Sequence, residues 1–163
     1  MELFDRLFSW LRSHGGGQRA ADAEAGVRAL ECRYRIRLPD DFRRYLLQVA
    51  PDEDVTDDEL TTWWALGRIR NIPDEYEGEI SNLVIAAGAG EYLFFADYIF
   101  WCWAWAVCCS EGPNRGKVAF IGGPNDFVAD SFAEFVERYL HDPAGMAEAP
   151  PPTWRERGQR GSE

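Results

Sequence analysis

The run YLFFADYIFWCWAWAVCC, residues 92–109, decides the fold. Its 18 residues carry one charge, Asp97, and the run is long enough to raise the question of a membrane span. Two features argue against a span. Asp97 near the middle would cost roughly 2.5–3.5 kcal/mol on insertion scales. No Lys or Arg stands close to either end to set an orientation. The aromatic content instead suits the core strands of a soluble sheet, read as Tyr92–Phe95 and Ile99–Cys109. Within the second strand Trp101, Trp103 and Trp105 recur at period two and share one face. Cys102, Ala104, Ala106 and Cys108 share the other, where small side chains suit the close approach of a helix.

Working outward, β signals continue on both sides. Leu83–Ala87 is a short apolar run read as a strand, and Gly88-Ala89-Gly90 as a turn. Gly112-Pro113-Asn114 marks a loop, Lys117–Ile121 a further strand, and Gly122-Gly123-Pro124 its end. A helix then opens at Ser131, where Ser131-x-x-Glu134 fits a capping box. Phe132, Phe135, Val136, Tyr139 and Leu140 form its apolar stripe.

The N-terminal half reads as helices. Leu3, Phe4, Leu7, Phe8 and Leu11 fall on one face of a helix over 2–13, which docks on the domain. Gly15-Gly16-Gly17 follows as a flexible joint. A second helix spans 18–35, with Val27, Leu30 and Tyr34 inward. A third begins at Pro39 and turns Phe42, Tyr45, Leu46 and Val49 to the core. Helices followed by strands predict a single α+β domain: residues 1–17 as helix and joint, 18–143 as the domain. Residues 144–163, rich in Pro and charge (Pro150-Pro151-Pro152, Arg155, Arg157, Arg160), read as a tail.

Charge narrows the function. The chain has 17 Lys and Arg against 28 Asp and Glu, a net charge of −11, which disfavours nucleic acid and anionic membranes as partners and favours a basic one. Residues 52–79 hold ten acids against Arg68 and Arg70. Asp52, Glu53, Asp54, Asp57, Asp58 and Glu59 lie just before Trp63 and Trp64. Aromatics beside charge are typical of protein interfaces, so these eight residues form the candidate partner-binding site. The two tryptophans would serve as anchors and the acids as the steering rim.

Catalytic and metal signatures are sparse. The acidic cluster lacks the spaced ligands and glycine of a calcium loop. Cys32, Cys102, Cys108 and Cys109 form no Cys-x-x-Cys pair and read as free, buried thiols of a reducing, cytoplasmic compartment. His14 and His141 sit beside glycines and beside a helix end. Glu91 and Asp97 flank Tyr92–Phe95 and stay open as a carboxylate pair. Otherwise no catalytic residue, metal or cofactor is expected.

Four segments in order resemble the SUKH superfamily, which groups yeast Smi/Knr-type cell-wall regulators with bacterial toxin-immunity proteins. They are the Leu-Pro helix entry at Leu38-Pro39-Asp40-Asp41-Phe42, the strand Gly90-Glu91-Tyr92-Leu93-Phe94-Phe95-Ala96-Asp97-Tyr98, the triplet Gly116-Lys117-Val118, and the closing Val128-Ala129-Asp130-Ser131-Phe132-Ala133-Glu134-Phe135. The resemblance spans roughly residues 24–141. The chain departs from it where an Asn-Gly turn is replaced by Val49-Ala50-Pro51 and the acidic block. The resemblance implies a mixed, mostly antiparallel sheet packed by helices, and no catalytic residues. It implies a role in neutralising a toxin, such as a nuclease, by direct binding. The alternative it leaves open is a regulatory or scaffolding module for an endogenous protein.

Overall fold

The computed structural model describes residues 1–147. The long aromatic run forms the central hairpin, β3 (Tyr92–Tyr98) and β4 (Trp103–Cys108). Around it lie β1 (Val55–Thr56), β2 (Thr61–Trp63), β5 (Val118–Ile121) and β6 (Asp126–Ala129). The six strands follow one another in space in chain order, and every neighbouring pair is antiparallel. The sheet is thus antiparallel throughout rather than mixed. Its strands read as continuous apolar runs because both faces are covered. No helix among the described residues is long and apolar enough to cross a membrane.

One face carries the helical layer, α3 (Asp40–Gln48) and α6 (Phe132–His141). Phe95 meets Phe132 and Phe135 with ring centroids 5.1 and 5.2 Å apart, and Trp105 meets Phe135 at 5.5 Å. The helix therefore packs on the tryptophan face, not on the small-residue face expected from the sequence. That second face is filled by rings from two connections, Trp64 from residues 64–91 between β2 and β3 and Trp101 from the turn between β3 and β4. Trp64 packs on Phe94 at 5.8 Å, and Trp101 meets Phe94 edge-on at 5.1 Å. Ala104 and Ala106 leave the room those rings occupy.

A β-bulge assigns residues to faces. Phe94 pairs with Ala106, but Ala96 pairs with Trp105, so Phe95 is the extra residue. Strict alternation would put Asp97 on the Trp105 side. The bulge instead pairs Asp97 with Ala104 and turns it to the opposite face.

The expected strand Ile99–Cys109 is shorter than its pattern. Ile99 to Cys102 are the hairpin turn, and Trp101 lies in that turn rather than on β4. Leu83–Ala87 is a helix, α5, not a strand. The Asn82 side chain caps it by accepting from the Val84 and Ile85 amides at 3.0 and 3.3 Å. An apolar run of five residues suits either element by periodicity, and the cap decides. Before it, α4 (Ile72–Glu75) is capped in the same way by Asn71.

The N-terminal helix α1 (Leu3–Ser13) buries Phe4, Leu7 and Leu11, with Phe4 6.1 Å from Phe132. Burying each such side chain contributes about 1.5–3 kcal/mol. The glycines after it form a tight stop rather than a flexible joint. Gly15 has φ +90, and the Gly15 and Gly16 amides cap the Arg12 and Leu11 carbonyls. A Cβ at Gly16 would lie 2.7 Å from the Leu11 oxygen. The second helix, α2 (Ala23–Tyr34), is shorter than expected because residues 18–20 bond to 50–52 instead. At the far end, α7 (Pro143–Ala147) is a helical turn inside the expected tail, with the Trp103 indole N–H donating to the Ala147 carbonyl at 3.2 Å. The rest of that tail, with its prolines and three arginines, lies outside the described residues.

Candidate functional site

The acidic block does two jobs, and its members divide between them. Asp57 is 3% exposed. Its Oδ1 accepts the Glu59 and Thr61 amides at 3.0 and 3.1 Å, and its Oδ2 accepts the Trp63 indole N–H at 3.3 Å and the Tyr139 hydroxyl. This carboxylate closes the β1–β2 turn and ties it to α6. Burial first, then the neighbouring carboxylate, pushes the Tyr139 hydroxyl above its ordinary value and keeps it a donor. Asp54 is half used: it accepts the Ala65 amide at 2.8 Å and pairs with Arg68 at 2.6 Å.

Asp52, Glu53 and Asp58 are exposed and Glu59 is half-buried. The Asp58 side chain is 92% exposed and reaches His14 Nε2 at 3.4 Å. These carboxylates line the sheet's β1 edge and the turn beyond it. Trp63 and Trp64, expected as anchors, are both fully buried, on opposite faces of the sheet. Consecutive residues at a strand end point opposite ways, and both faces here are core. Neither tryptophan offers contact area to a partner, and Asp57 offers no free charge.

The carboxylate pair does not assemble. Glu91 is exposed at one end of β3 and accepts from Ser110 at 2.8 Å. Asp97 is buried at the other end, about 20 Å along the strand. Asp97 accepts the Trp64 indole N–H at 2.6 Å and the Trp101 amide at 2.9 Å, with Arg68 3.8 Å away. Arg68 also lies over the Trp64 ring at 4.0 Å.

The turn that Asp97 holds is the feature the sequence reading missed. Ile99, Phe100 and Trp101 have φ of 38, 49 and 68, three successive non-glycine residues in the left-handed region. Each costs about 1–2 kcal/mol for an L-residue, and a β-branched isoleucine is especially ill-suited. The turn is closed by the Cys102 amide, which donates to the Tyr98 and Ile99 carbonyls at 2.9 and 3.1 Å. Trp101 anchors it. Its ring stacks on Tyr76 at 5.4 Å, and its indole N–H donates to Glu75 at 3.0 Å. Phe100, at the apex, is fully exposed. No glycine, proline, asparagine or aspartate interrupts Tyr98–Trp103, so no turn residue announced it.

The adjoining turn repeats the theme. Leu60 has φ 66 and is 52% exposed, and the Ile99 amide donates to its carbonyl at 3.1 Å. The two turns therefore sit side by side at one end of the sheet, with Asp58 and Glu59 flanking one and Glu75 the other.

All four cysteines are free. Cys108 and Cys109 are buried, but Cys32 and Cys102 are exposed, unlike the expectation for all four. Burial first, then Cys108, raises the Cys109 thiol far above its usual range, so this thiol is a packing group rather than a nucleophile. Among the described residues no group of three or more His, Cys, Asp or Glu is placed to hold a metal ion. No protein-family model matches the chain, and no curated protein matches it.

Proposed function

We propose that this chain is a cytoplasmic binding module that neutralises a basic toxin domain by occupying its surface, as the immunity branch of the SUKH superfamily it resembles does. Function by occupancy needs a steering field and a contact surface rather than reacting groups. The observation that carries the reading is the acidic edge: exposed Asp52, Glu53 and Asp58, with half-buried Glu59, line β1 and its turn in a chain of net charge −11. Such a field raises the encounter rate with a cationic surface, and nucleases are commonly cationic because they bind phosphate. Asp57, Trp63 and Trp64 support this edge from inside.

The test is a co-expression rescue. The C-terminal domain encoded by the reading frame adjacent to this chain's gene is induced in a sensitive host, with and without the chain. Survival only with the chain, together with co-purification of the pair, is the expected result. A harmless neighbour, or killing regardless of the chain, removes the reading for that pair and favours a regulatory module for an endogenous protein.

A further inference from the structure

Phe100 has no structural employment that explains it. A core role is excluded by its full exposure. A turn-forming role is excluded by its conformation, since glycine would adopt φ 49 with less strain. The strain is nevertheless held in place from below by the Trp101 stack on Tyr76, the Glu75 bond and the Asp97 bond. Strained residues that the surroundings over-determine, and that gain nothing for the fold, mark sites of use.

Phe100 also has apolar company. Leu60 lies on the neighbouring turn, Ile99 is half-buried beside it, and the half-buried Tyr98 and Trp103 stack at 4.9 Å just below. The charges that flank the two tips in the sequence are acidic, and Arg68 beneath them is paired with Asp54 and Asp97. Asp58 and Glu59 precede Leu60, and Glu75 and the exposed Glu77 bracket Tyr76. From residue 71 to residue 114 the sequence has no Lys, Arg or His. An aromatic anchor ringed by acids is complementary to a basic protein surface with an apolar recess.

We infer that the paired turns at this end of the sheet, with Phe100 and Leu60 at their tips, are the anchoring patch for a basic protein partner. This rests on the binding reading above and gives it, in Phe100, the anchor that the buried Trp63 and Trp64 do not offer. Phe100 inserts into the partner's recess, while Asp58, Glu59 and Glu77 form the charged rim. The turn backbone is already in its strained shape before contact, so the ordering cost of binding falls on the exposed Phe100 side chain.

The experiment measures affinity and kinetics of the full chain for the domain encoded by the adjacent reading frame, at two salt concentrations. F100G, F100S and D58K are compared with wild type, and each variant's Tm is recorded. F100G is expected to weaken binding by about 30-fold or more, mainly through faster dissociation, with an unchanged or higher Tm. D58K is expected to slow association and flatten the salt dependence. F100S, which keeps a side chain at the apex, guards against a backbone effect peculiar to glycine. If wild type binds and both Phe100 variants bind within about threefold of it, the inference is overturned and the binding reading stands. If wild type does not bind, the reading fails and the inference falls with it. Self-association of wild type that F100G abolishes, seen by sedimentation velocity, would assign the patch to a second copy and overturn the basic partner.

Discussion

The two adjacent hairpin turns are closed by the same device used on opposite faces of the sheet. At the β1–β2 turn, Asp57 accepts the Trp63 indole N–H and the Glu59 and Thr61 amides. At the β3–β4 turn, Asp97 accepts the Trp64 indole N–H and the Trp101 amide. Each pairs a buried carboxylate with a buried tryptophan and the turn's own backbone. They differ in how much strain the carboxylate restrains: Leu60 alone is left-handed in one turn, against three successive residues in the other. They differ also in partners, since Asp57 is locked to α6 through Tyr139 while Asp97 reaches only the β2–β3 connection and its own turn. A buried Asp–Trp pair thus serves stability at one turn and presentation at the other.

The sharpest way to break this comparison is to remove each carboxylate. Asp57→Ala strands the Tyr139 hydroxyl, the Trp63 indole and two amides in the core. It should cost about 3–5 kcal/mol in urea unfolding. Asp97→Ala should cost less, about 2–4 kcal/mol, because Arg68 is half-exposed and the turn can relax. Unlike D57A, it should also raise amide hydrogen exchange at Trp101 and Cys102 above the global rate. A larger loss for D97A than for D57A would refute the assignment of roles.

Alkali tests the Asp57 side alone. Burial raises the Tyr139 hydroxyl, and likewise those of Tyr45 and Tyr92, above their ordinary value of 10.0. Above about pH 10 the unfolded chain releases these protons while the folded chain keeps them, so fewer protons are bound when unfolded and stability falls as pH rises. Tyr139→Phe should make that fall shallower, read as the slope of unfolding free energy from pH 9 to about 11.5. An unchanged slope would show that Tyr139 takes no part in it.

Smaller effects belong to the tips. Phe100→Gly should raise stability by about 1 kcal/mol, since it relieves left-handed strain without removing a buried contact. Asp58→Lys should leave unfolding within about 0.5 kcal/mol of wild type, because the Asp58 side chain is 92% exposed and its charge is solvated. A marked destabilisation by either would make the tips part of the fold rather than a contact surface.

Several elements were legible in residue order alone. The stripe of α6 and its Ser131 cap, the apolar face of α1, and the entry to α3 after Pro39 all rest on local spacing and local hydrogen bonds. The β character of residues 92–109 was legible for the same reason. Other assignments were not. Leu83–Ala87 is too short for periodicity to separate helix from strand, and the Trp101–Trp103–Trp105 rhythm runs straight through a turn. In the candidate site the acids of the block were legible as charge, but which of them reach solvent was not. Asp57 and Asp58 are adjacent and chemically identical, yet one is buried and the other almost fully exposed.

By itself, the sequence determined the α+β class, the amphipathic helices and the net acidity, because these depend on composition and on contacts a few residues apart. Only the tertiary structure decided that Trp63 and Trp64 are core, that Asp57 and Asp97 are turn clasps, and that Phe100 stands in solvent. The physical reason is that these outcomes depend on partners far along the chain. Tyr139 lies 82 positions from Asp57, and Trp64 lies 33 positions from Asp97. A single bulged residue, Phe95, chooses the face on which Asp97 meets its indole.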